Sequence, residues 1–201
     1  MHYPSFYTQV PTIKLYDPLS DFLGALSSGR VEISYLDCVK VAGHSCPTVA
    51  GAYLMASKGL QALYGKEVPQ RAKIRIEMKE AEDEGVTGVT AAVMSFILGA
   101  SAKGGFKGIQ GNFSRDKLLF FQANIEQEVK FTRLDNMQSV NLAYNPTSIE
   151  TDARIPMLMK KNLSNTASIE EKRLFQLLWQ ERVEEILLST DKHDTILTLS
   201  Y

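Results

Sequence analysis

Apolar and polar positions along the chain repeat with two different periods, which separate predicted helices from predicted strands. Residues 47–64 are apolar on nearly every side of a helical projection, and this pattern predicts a buried helix. Residues 90–98 are rich in small and apolar side chains and predict a second buried helix. Ile74, Ile76 and Met78 alternate with charged residues, which predicts a half-exposed strand.

Three further strand-like runs follow a glycine-dense loop, and their short spacing predicts an antiparallel meander. The runs are LLFFQA, EVKFTRLD and MQSVNLAYN. Earlier in the chain, the β-branched and aromatic residues of VEISYLDCVKVAG also predict a strand. The preceding segment, DPLSDFLGALSSG, predicts a short helix with Asp17 at its N-cap.

The pattern of predicted helices and strands changes along the chain, and these changes predict three segments. Residues 1–15 predict an extended arm, and residues 16–145 predict an α+β core. Residues 146–201 predict a C-terminal helical extension, whose main helix begins with a capping box of Ser168 and Glu171. We therefore expect an α+β fold with an antiparallel or mixed sheet, buried helices packed on it, and this extension.

Composition and charge narrow the classes of function. The 201 residues are 44% apolar and 22% charged, which is typical of a globular protein. The formal net charge is −1, from 22 basic and 23 acidic residues, and no basic tract is present. We therefore expect no nucleic-acid partner. The N-terminus has no signal-peptide pattern and no stretch predicts a membrane span, so we expect no membrane partner and a cytoplasmic location.

The candidate chemistry is concentrated in the stretch GHSCP, since the whole chain has three histidines and two cysteines. Pro47 suits the first turn of a helix, which places Cys46 at or next to the N-cap. The positive end of the helix dipole favours the thiolate form of a cysteine there. His44 lies two residues earlier, where it can approach the thiolate. A histidine and a cysteine together suit zinc, iron or another late transition metal.

Two ligands do not complete a metal site, because zinc takes about four. The remaining ligands can be water, a substrate, a carboxylate or a group from a second protomer. Within the chain, Cys38 is a candidate third ligand, and Glu80 or Glu82 is a candidate carboxylate. An alternative use of Cys46 is redox or thiol chemistry, in which this residue itself is catalytic.

The loop GGFKGIQGNFSRDK is a candidate anion-binding or substrate-binding segment. Glycines and cationic side chains together can form an anion-binding nest. The loop does not match the phosphate-binding pattern that ends in Gly-Lys-Ser/Thr, so we do not expect a nucleotide site. Lys107, Asn112 and Lys117 are its candidate substrate-binding or anion-binding residues.

One short motif of the chain resembles that of the FmdE-like family, which is named after a component of formylmethanofuran dehydrogenase. The family carries Gly-His-x-Cys-Pro-Gly ahead of an apolar helix. Gly43, His44, Cys46 and Pro47 match that motif, and Thr48 stands in place of its final glycine. The family also carries a Gly-Lys-Gly-Asn-Leu stretch and a turn of the type Asp-x-Gly-Lys.

The second motif is matched more loosely, by Gly111, Asn112, Asp116 and Lys117. The similarity covers about residues 20–140. It implies an α+β core, a homodimer, and a transition-metal site that uses His44 and Cys46. Zinc is the expected metal, with iron or nickel as alternatives.

The resemblance also implies a link to one-carbon or molybdenum/tungsten oxidoreductase systems. Family members often carry a further cysteine in a Thr-Gly-Cys-Thr stretch, where Ala100 or Val89 stands in this chain. Many members also end in a cysteine-rich zinc ribbon, where this chain has its helical extension. A second hypothesis is therefore a non-catalytic, dimeric accessory or assembly subunit of a larger oxidoreductase complex.

Overall fold

The computed structural model describes residues 3–201, so Met1 and His2 lie outside it. Helices pack against a five-stranded mixed sheet, and a two-stranded antiparallel sheet lies beside it. This arrangement confirms the predicted α+β fold class. The helices are Pro18–Phe22 (α1), Tyr35–Ala42 (α2), Pro47–Tyr64 (α3), Thr87–Leu98 (α4), Ile155–Leu163 (α5), Ile169–Leu188 (α6) and His193–Ile196 (α7). None of them, within residues 3–201, is long and apolar enough to cross a membrane.

The larger sheet has the strand order β4-β3-β5-β6-β7. The strands of the two sheets are Ile13–Tyr16 (β1), Arg30–Ile33 (β2), Ile74–Met78 (β3), Leu119–Phe120 (β4), Val129–Arg133 (β5), Ser139–Tyr144 (β6) and Leu197–Ser200 (β7). The predicted antiparallel meander is correct for β5 and β6 but wrong for β4, which runs parallel to β3. The reason is the helix α4 between these two strands, because a helical crossover returns the chain in the same direction.

Helix α3 is the predicted buried helix, and it lies unusually close to the sheet. A Cβ atom on Gly59 would lie 2.7 Å from Cδ2 of Phe131 and 2.9 Å from Cδ1 of Leu142. A Cβ atom on Gly51 would lie 2.3 Å from Cε1 of Tyr144. Only glycine at these two positions lets the helix pack this closely against β5 and β6.

The N-terminal residues differ from the predicted extended arm. Ser5–Gln9 forms a 3-10 helix, and β1 then pairs with β2 in the smaller sheet. Phe6 and Tyr7 are buried in the main core, together with Val10. Burial of these side chains stabilises a compact segment, even though the prolines on either side prevent a long helix.

The strand predicted over VEISYLDCVKVAG is wrong for most of its length. Strand β2 ends at Ile33, and α2 begins two residues later. Ser34 and Asp37 form a capping box, in which the Ser34 amide donates to Oδ2 of Asp37 at 3.0 Å and Oγ of Ser34 accepts from the Asp37 amide. This cap satisfies backbone donors at the helix start and outweighs the strand preference of the β-branched residues.

Residues 146–201 contain the predicted helices and also a strand of the main sheet. Helices α5 and α6 form a small apolar cluster of their own around Leu158 and Leu178. The second half of α6 places Val183 and Ile186 in the main core, and β7 pairs with β6 at the sheet edge. The capping box predicted at the start of α6 is present.

Replacing Gly59 by alanine tests the close approach of α3 to the sheet. Overpacking a core costs about 1–3 kcal/mol, whereas alanine favours a helix over glycine by about 1 kcal/mol. We expect Gly59→Ala to lower the free energy of unfolding in urea by about 1 kcal/mol, because Phe131 and Leu142 must move. The control is Gln61→Ala at an exposed position of α3, which should change stability by less than about 0.5 kcal/mol. A Gly59→Ala variant as stable as the wild type would contradict this packing.

Candidate functional site

The motif GHSCP forms the turn between α2 and α3. Gly43 ends α2 with a φ of 75°, a left-handed conformation that glycine adopts without strain. Cys46 is the N-cap of α3, and its Sγ accepts from the Val49 amide at 3.5 Å. Pro47 occupies the first helical position. The predicted N-cap cysteine followed by a first-turn proline is therefore confirmed.

His44 is exposed, and a backbone contact orients its ring. Its Nδ1 lies 2.9 Å from the carbonyl oxygen of Ala42. A carbonyl oxygen only accepts hydrogen bonds, so Nδ1 is the protonated nitrogen and donates. In the neutral imidazole this leaves the lone pair on Nε2, where a metal ion can bind. Metal-binding histidines in proteins are commonly fixed by this kind of contact to a carbonyl oxygen.

Ser45, between the two candidate ligands, is anchored to the C-terminal helix α6. Its Oγ donates to Oε1 of Gln180 at 3.0 Å and lies 3.0 Å from Oη of Tyr35. Its carbonyl oxygen accepts from Nε1 of Trp179 at 3.0 Å. Tyr7 also donates to Oε1 of Gln180 at 3.3 Å. Helix α2 and the distant helix α6 therefore hold this turn in place, and the N-terminal segment supports it through Gln180.

These anchoring residues were not identified from the sequence. Trp179 and Gln180 lie more than 130 residues after Ser45, as their separations of 134 and 135 show. Trp179 is the only tryptophan of the chain, and its indole N–H requires a partner when it is partly buried. The sequence therefore indicates that Trp179 has a hydrogen-bond partner, but it does not indicate that this partner is Ser45.

A cavity of about 200 Å³ opens beside the first turn of α3. Its lining includes Pro47, Thr48, Glu80, Glu128 and Tyr144. The Tyr144 ring packs on Gly51 of α3, the close contact described above. The cavity therefore lies between the N-terminal end of α3, the end of β6 and the loop after β3.

Two buried polar atoms near this cavity have no hydrogen-bond partner within the described part of the chain. They are Oη of Tyr144 and Nε of Arg182. Burial raises the pKa of Tyr144, while the positive charge of Arg182 opposes that shift, so Tyr144 is a neutral donor at physiological pH. The negative charge of Glu128 also raises the pKa of Tyr144, and this carboxylate accepts from the Tyr144 backbone amide at 2.7 Å. Buried donors without a partner are rare in folded proteins, so these two atoms make this part of the molecule a candidate for function.

The other candidate ligands are not gathered around His44 and Cys46. Cys38 is fully buried in α2, and burial raises the pKa of its thiol to about 12. Glu80 lines the cavity beside Pro47, whereas Glu82 lines a different pocket. Among residues 3–201, no group of three or more His, Cys, Asp or Glu side chains is close enough to hold a metal ion. The turn thus offers two donors, and any further ligands come from outside this set.

The candidate residues of the glycine-rich loop are separated in the structure. Asn112 lines a cavity formed with the start of α1, and Lys117 lines another pocket with Glu82 and Phe121. Lys107 is exposed. Neither of these two pockets shares a lining residue with the cavity beside Cys46. The loop therefore does not form one binding surface with the His44–Cys46 turn.

Comparisons with known proteins do not assign the chain to a family. No protein-family model matches the sequence, and no curated protein matches it significantly.

The two cysteines should differ sharply in reactivity, because Cys46 is partly exposed and Cys38 is fully buried with a raised pKa. We expect iodoacetamide at mildly alkaline pH, with a chelator present, to modify the native protein once, at Cys46. Unfolding in urea should allow modification of both thiols. Intact-mass analysis with peptide mapping checks this, and native Cys46→Ala is the control that should stay unmodified. Labelling of Cys38 as fast as Cys46 would contradict the placement of these two thiols.

Proposed function

We propose that the protein binds one transition-metal ion per chain through Nε2 of His44 and Sγ of Cys46. The observation that carries the proposal is the 2.9 Å contact between Nδ1 of His44 and the Ala42 carbonyl oxygen. This contact leaves Nε2 as the free lone pair and orients the ring, as carbonyl partners of metal-binding histidines do in known sites. An imidazole nitrogen with a thiolate sulfur suits zinc best, and iron or nickel are alternatives.

The anchoring of the turn supports the same proposal. A metal ligand must be held with little freedom, and Ser45 is fixed by Gln180, Trp179 and Tyr35 between the two donors. Cys46 is fixed at the start of an 18-residue helix, where the helix dipole favours a negative sulfur. The match of this turn to the Gly-His-x-Cys-Pro motif of the FmdE-like family is a further support.

The arrangement favours an open, reactive site over a closed structural one. Structural zinc sites have four protein ligands, whereas catalytic sites keep a position open for water or substrate. Two protein donors leave positions open, and a metal ion held there would polarise a bound carbonyl group or activate a water molecule. Tyr144 in the cavity lining and the positive charge of Arg182 near it would stabilise negative charge on a substrate oxygen. We therefore propose a metal-dependent enzyme that acts on an oxygen-containing substrate.

Metal analysis of purified protein tests this proposal. After purification without chelators and loading with zinc, the wild type should hold about one zinc per chain. We expect His44→Ala and Cys46→Ala each to weaken zinc binding by more than about tenfold in competition with a chromophoric chelator. Cys38→Ala is the matched control, because it also removes a thiol but one that is fully buried in α2. Equal, near-zero metal in the wild type and both variants would contradict the proposal.

A second candidate function is supported by exposed apolar side chains on α5 and α6. Met157, Leu163, Ile169 and Leu177 are all exposed on this pair of helices. These two helices pack against each other, and exposed apolar patches are typical of protein–protein contacts. The second proposal is a dimeric accessory or assembly subunit of a larger molybdenum or tungsten oxidoreductase, without catalysis of its own.

Point substitutions test this alternative better than deletion of the helices, since α6 also supplies Val183 and Ile186 to the main core. We expect Leu177→Glu to shift a wild-type dimer to monomer in sedimentation equilibrium. Gln176→Glu adds the same charge at a neighbouring exposed position and should leave the dimer intact. A dimer lost in Leu177→Glu, combined with no metal in the wild type, would favour the accessory role. A monomeric wild type would contradict it.

A further inference from the structure

A second cavity, of about 470 Å³, lies between the start of α1 and the glycine-rich loop. Its volume falls in the range of roughly 300–1,000 Å³ that is typical of small-molecule sites. Residues 16–19, 70–73 and 111–115 form most of its wall. None of its lining residues lines the cavity beside the first turn of α3, and neither His44 nor Cys46 lines it, so the proposed metal centre does not account for it.

The lining of this cavity is positively charged. Arg71, Lys73 and Arg115 contribute three positive charges, and Asp17 contributes the one negative charge, which leaves a net charge of +2. A cavity with an excess of positive charge attracts anions. The chemical class of its ligand then depends on which of these cations is free to contact it.

Asp17 and Arg71 are occupied by contacts within the protein. Oδ1 of Asp17 accepts from the amides of Leu19 and Ser20, both at 3.1 Å, as the N-cap of α1. Nη1 of Arg71 donates to Asp17 at 2.9 Å, and its Nε and Nη2 donate to the last carbonyl oxygens of α4. Every nitrogen of Arg71 therefore has an acceptor, and its role is to join α1 to the end of α4.

Arg115 differs from Arg71, because part of its guanidinium is unused. Its Nη2 donates to both carboxylate oxygens of Asp17 at 2.7 Å. Its Nε is buried and finds no acceptor among residues 3–201. Nη1 also has no acceptor in the described part of the chain but is not one of the buried atoms, and the side chain is 21% exposed, so Nη1 is the donor that an acceptor from outside the chain can reach. Lys73 lies at the rim of the same cavity and adds a second cation.

Two more carboxylates lie close to the cavity but do not line it. Asp21 accepts from the Tyr16 hydroxyl at 2.8 Å, and Asp116 accepts from the Ser114 hydroxyl. These hydrogen bonds direct each carboxylate to a hydroxyl group of the wall. The negative charges of Asp21 and Asp116 offset the net charge of +2 on the lining. The attraction for an anion is therefore local to Arg115 and Lys73.

Part of the remaining wall is apolar, and a strained loop supplies one of its rings. Leu19, Phe113 and Leu118 line the cavity, and the Phe113 ring stacks on Phe22 with centroids 5.1 Å apart. Phe113 has a φ of 61°, which is costly for a residue with a side chain. At Gly108, a Cβ atom would lie 2.3 Å from the Asn112 carbonyl oxygen. The loop therefore needs glycine there in order to present Phe113 to the cavity.

We propose that this cavity binds a small organic oxyanion. A carboxylate or phosphate head group accepts hydrogen bonds from Arg115 and Lys73, and an apolar body packs against Phe113 and Leu118. The planar fork of an arginine side chain matches either head group. This site is separate from the metal centre and does not depend on it.

Calorimetric titration with four probes tests the proposal. Benzoate and phenyl phosphate carry both parts of the ligand, whereas inorganic phosphate has only the head group and benzyl alcohol has no charge. We expect saturable binding of benzoate or phenyl phosphate in the micromolar to millimolar range. We expect at least about tenfold weaker binding of the other two probes. The comparison of benzoate with phenyl phosphate shows whether the cavity prefers a carboxylate or a phosphate head group. No saturable binding of either would overturn the proposal.

Single substitutions test whether the organic probe binds in this cavity. Lys73→Met and Arg115→Met should each weaken the better organic probe by about tenfold, and Lys66→Met, an exposed lysine away from the cavity, should not. Thermal melting reports whether Arg115→Met still folds, and if it does not, Lys73→Met decides the question. Unchanged affinity in Lys73→Met would overturn the proposed role of the cavity.

The titrations are repeated in His44→Ala with a chelator present, so that no metal at α3 can hold the head group. Retained affinity in this variant is the expected result, because the two sites share no residue. Binding that disappears with His44→Ala belongs to the metal centre and overturns the cavity proposal, while the metal proposal would stand.

Discussion

The close approach of α3 to strands β5 and β6 is the constraint on which the rest of the structure depends. Gly51 and Gly59, eight residues apart on the helix, leave room for the rings of Tyr144 and Phe131. Because the helix is fixed at two points along its length, its N-terminal end has a defined position over the end of β6. Cys46 is at that end, so packing in the core sets the position of the candidate thiolate.

The candidate site combines parts that are distant in the sequence. The turn supplies His44 and Cys46, β6 supplies Tyr144, and α6 supplies Arg182 together with the two side chains that bind Ser45. The C-terminal helices are therefore part of the site as well as of the core. This integration explains how an exposed turn beside a helix end can be held with the rigidity that a metal ligand requires.

Local chemistry made several features predictable. The apolar run of α3 and the proline after Cys46 follow from rules that act within one turn of a helix. Most of the features that were missed depend on long-range pairing, which a single sequence does not show. The parallel strand β4, the anchoring of Ser45 by Trp179, and the pairing of Asp17 with Arg115 join residues that are 43 to 134 positions apart. Helix α2 was missed for a local reason, because its capping box outweighed a strand-like composition.

X-ray absorption at the zinc edge of zinc-loaded protein counts the atoms bound to the metal, so it tests whether His44 and Cys46 are its ligands. A zinc ion bound by Cys46 and His44 should have one sulfur at about 2.3 Å from the metal and one imidazole nitrogen at about 2.0–2.1 Å. Oxygen atoms should fill the remaining positions. The sulfur signal should vanish in Cys46→Ala and persist in Cys38→Ala. A coordination shell without sulfur in the wild type would contradict the assignment of this turn as a metal site.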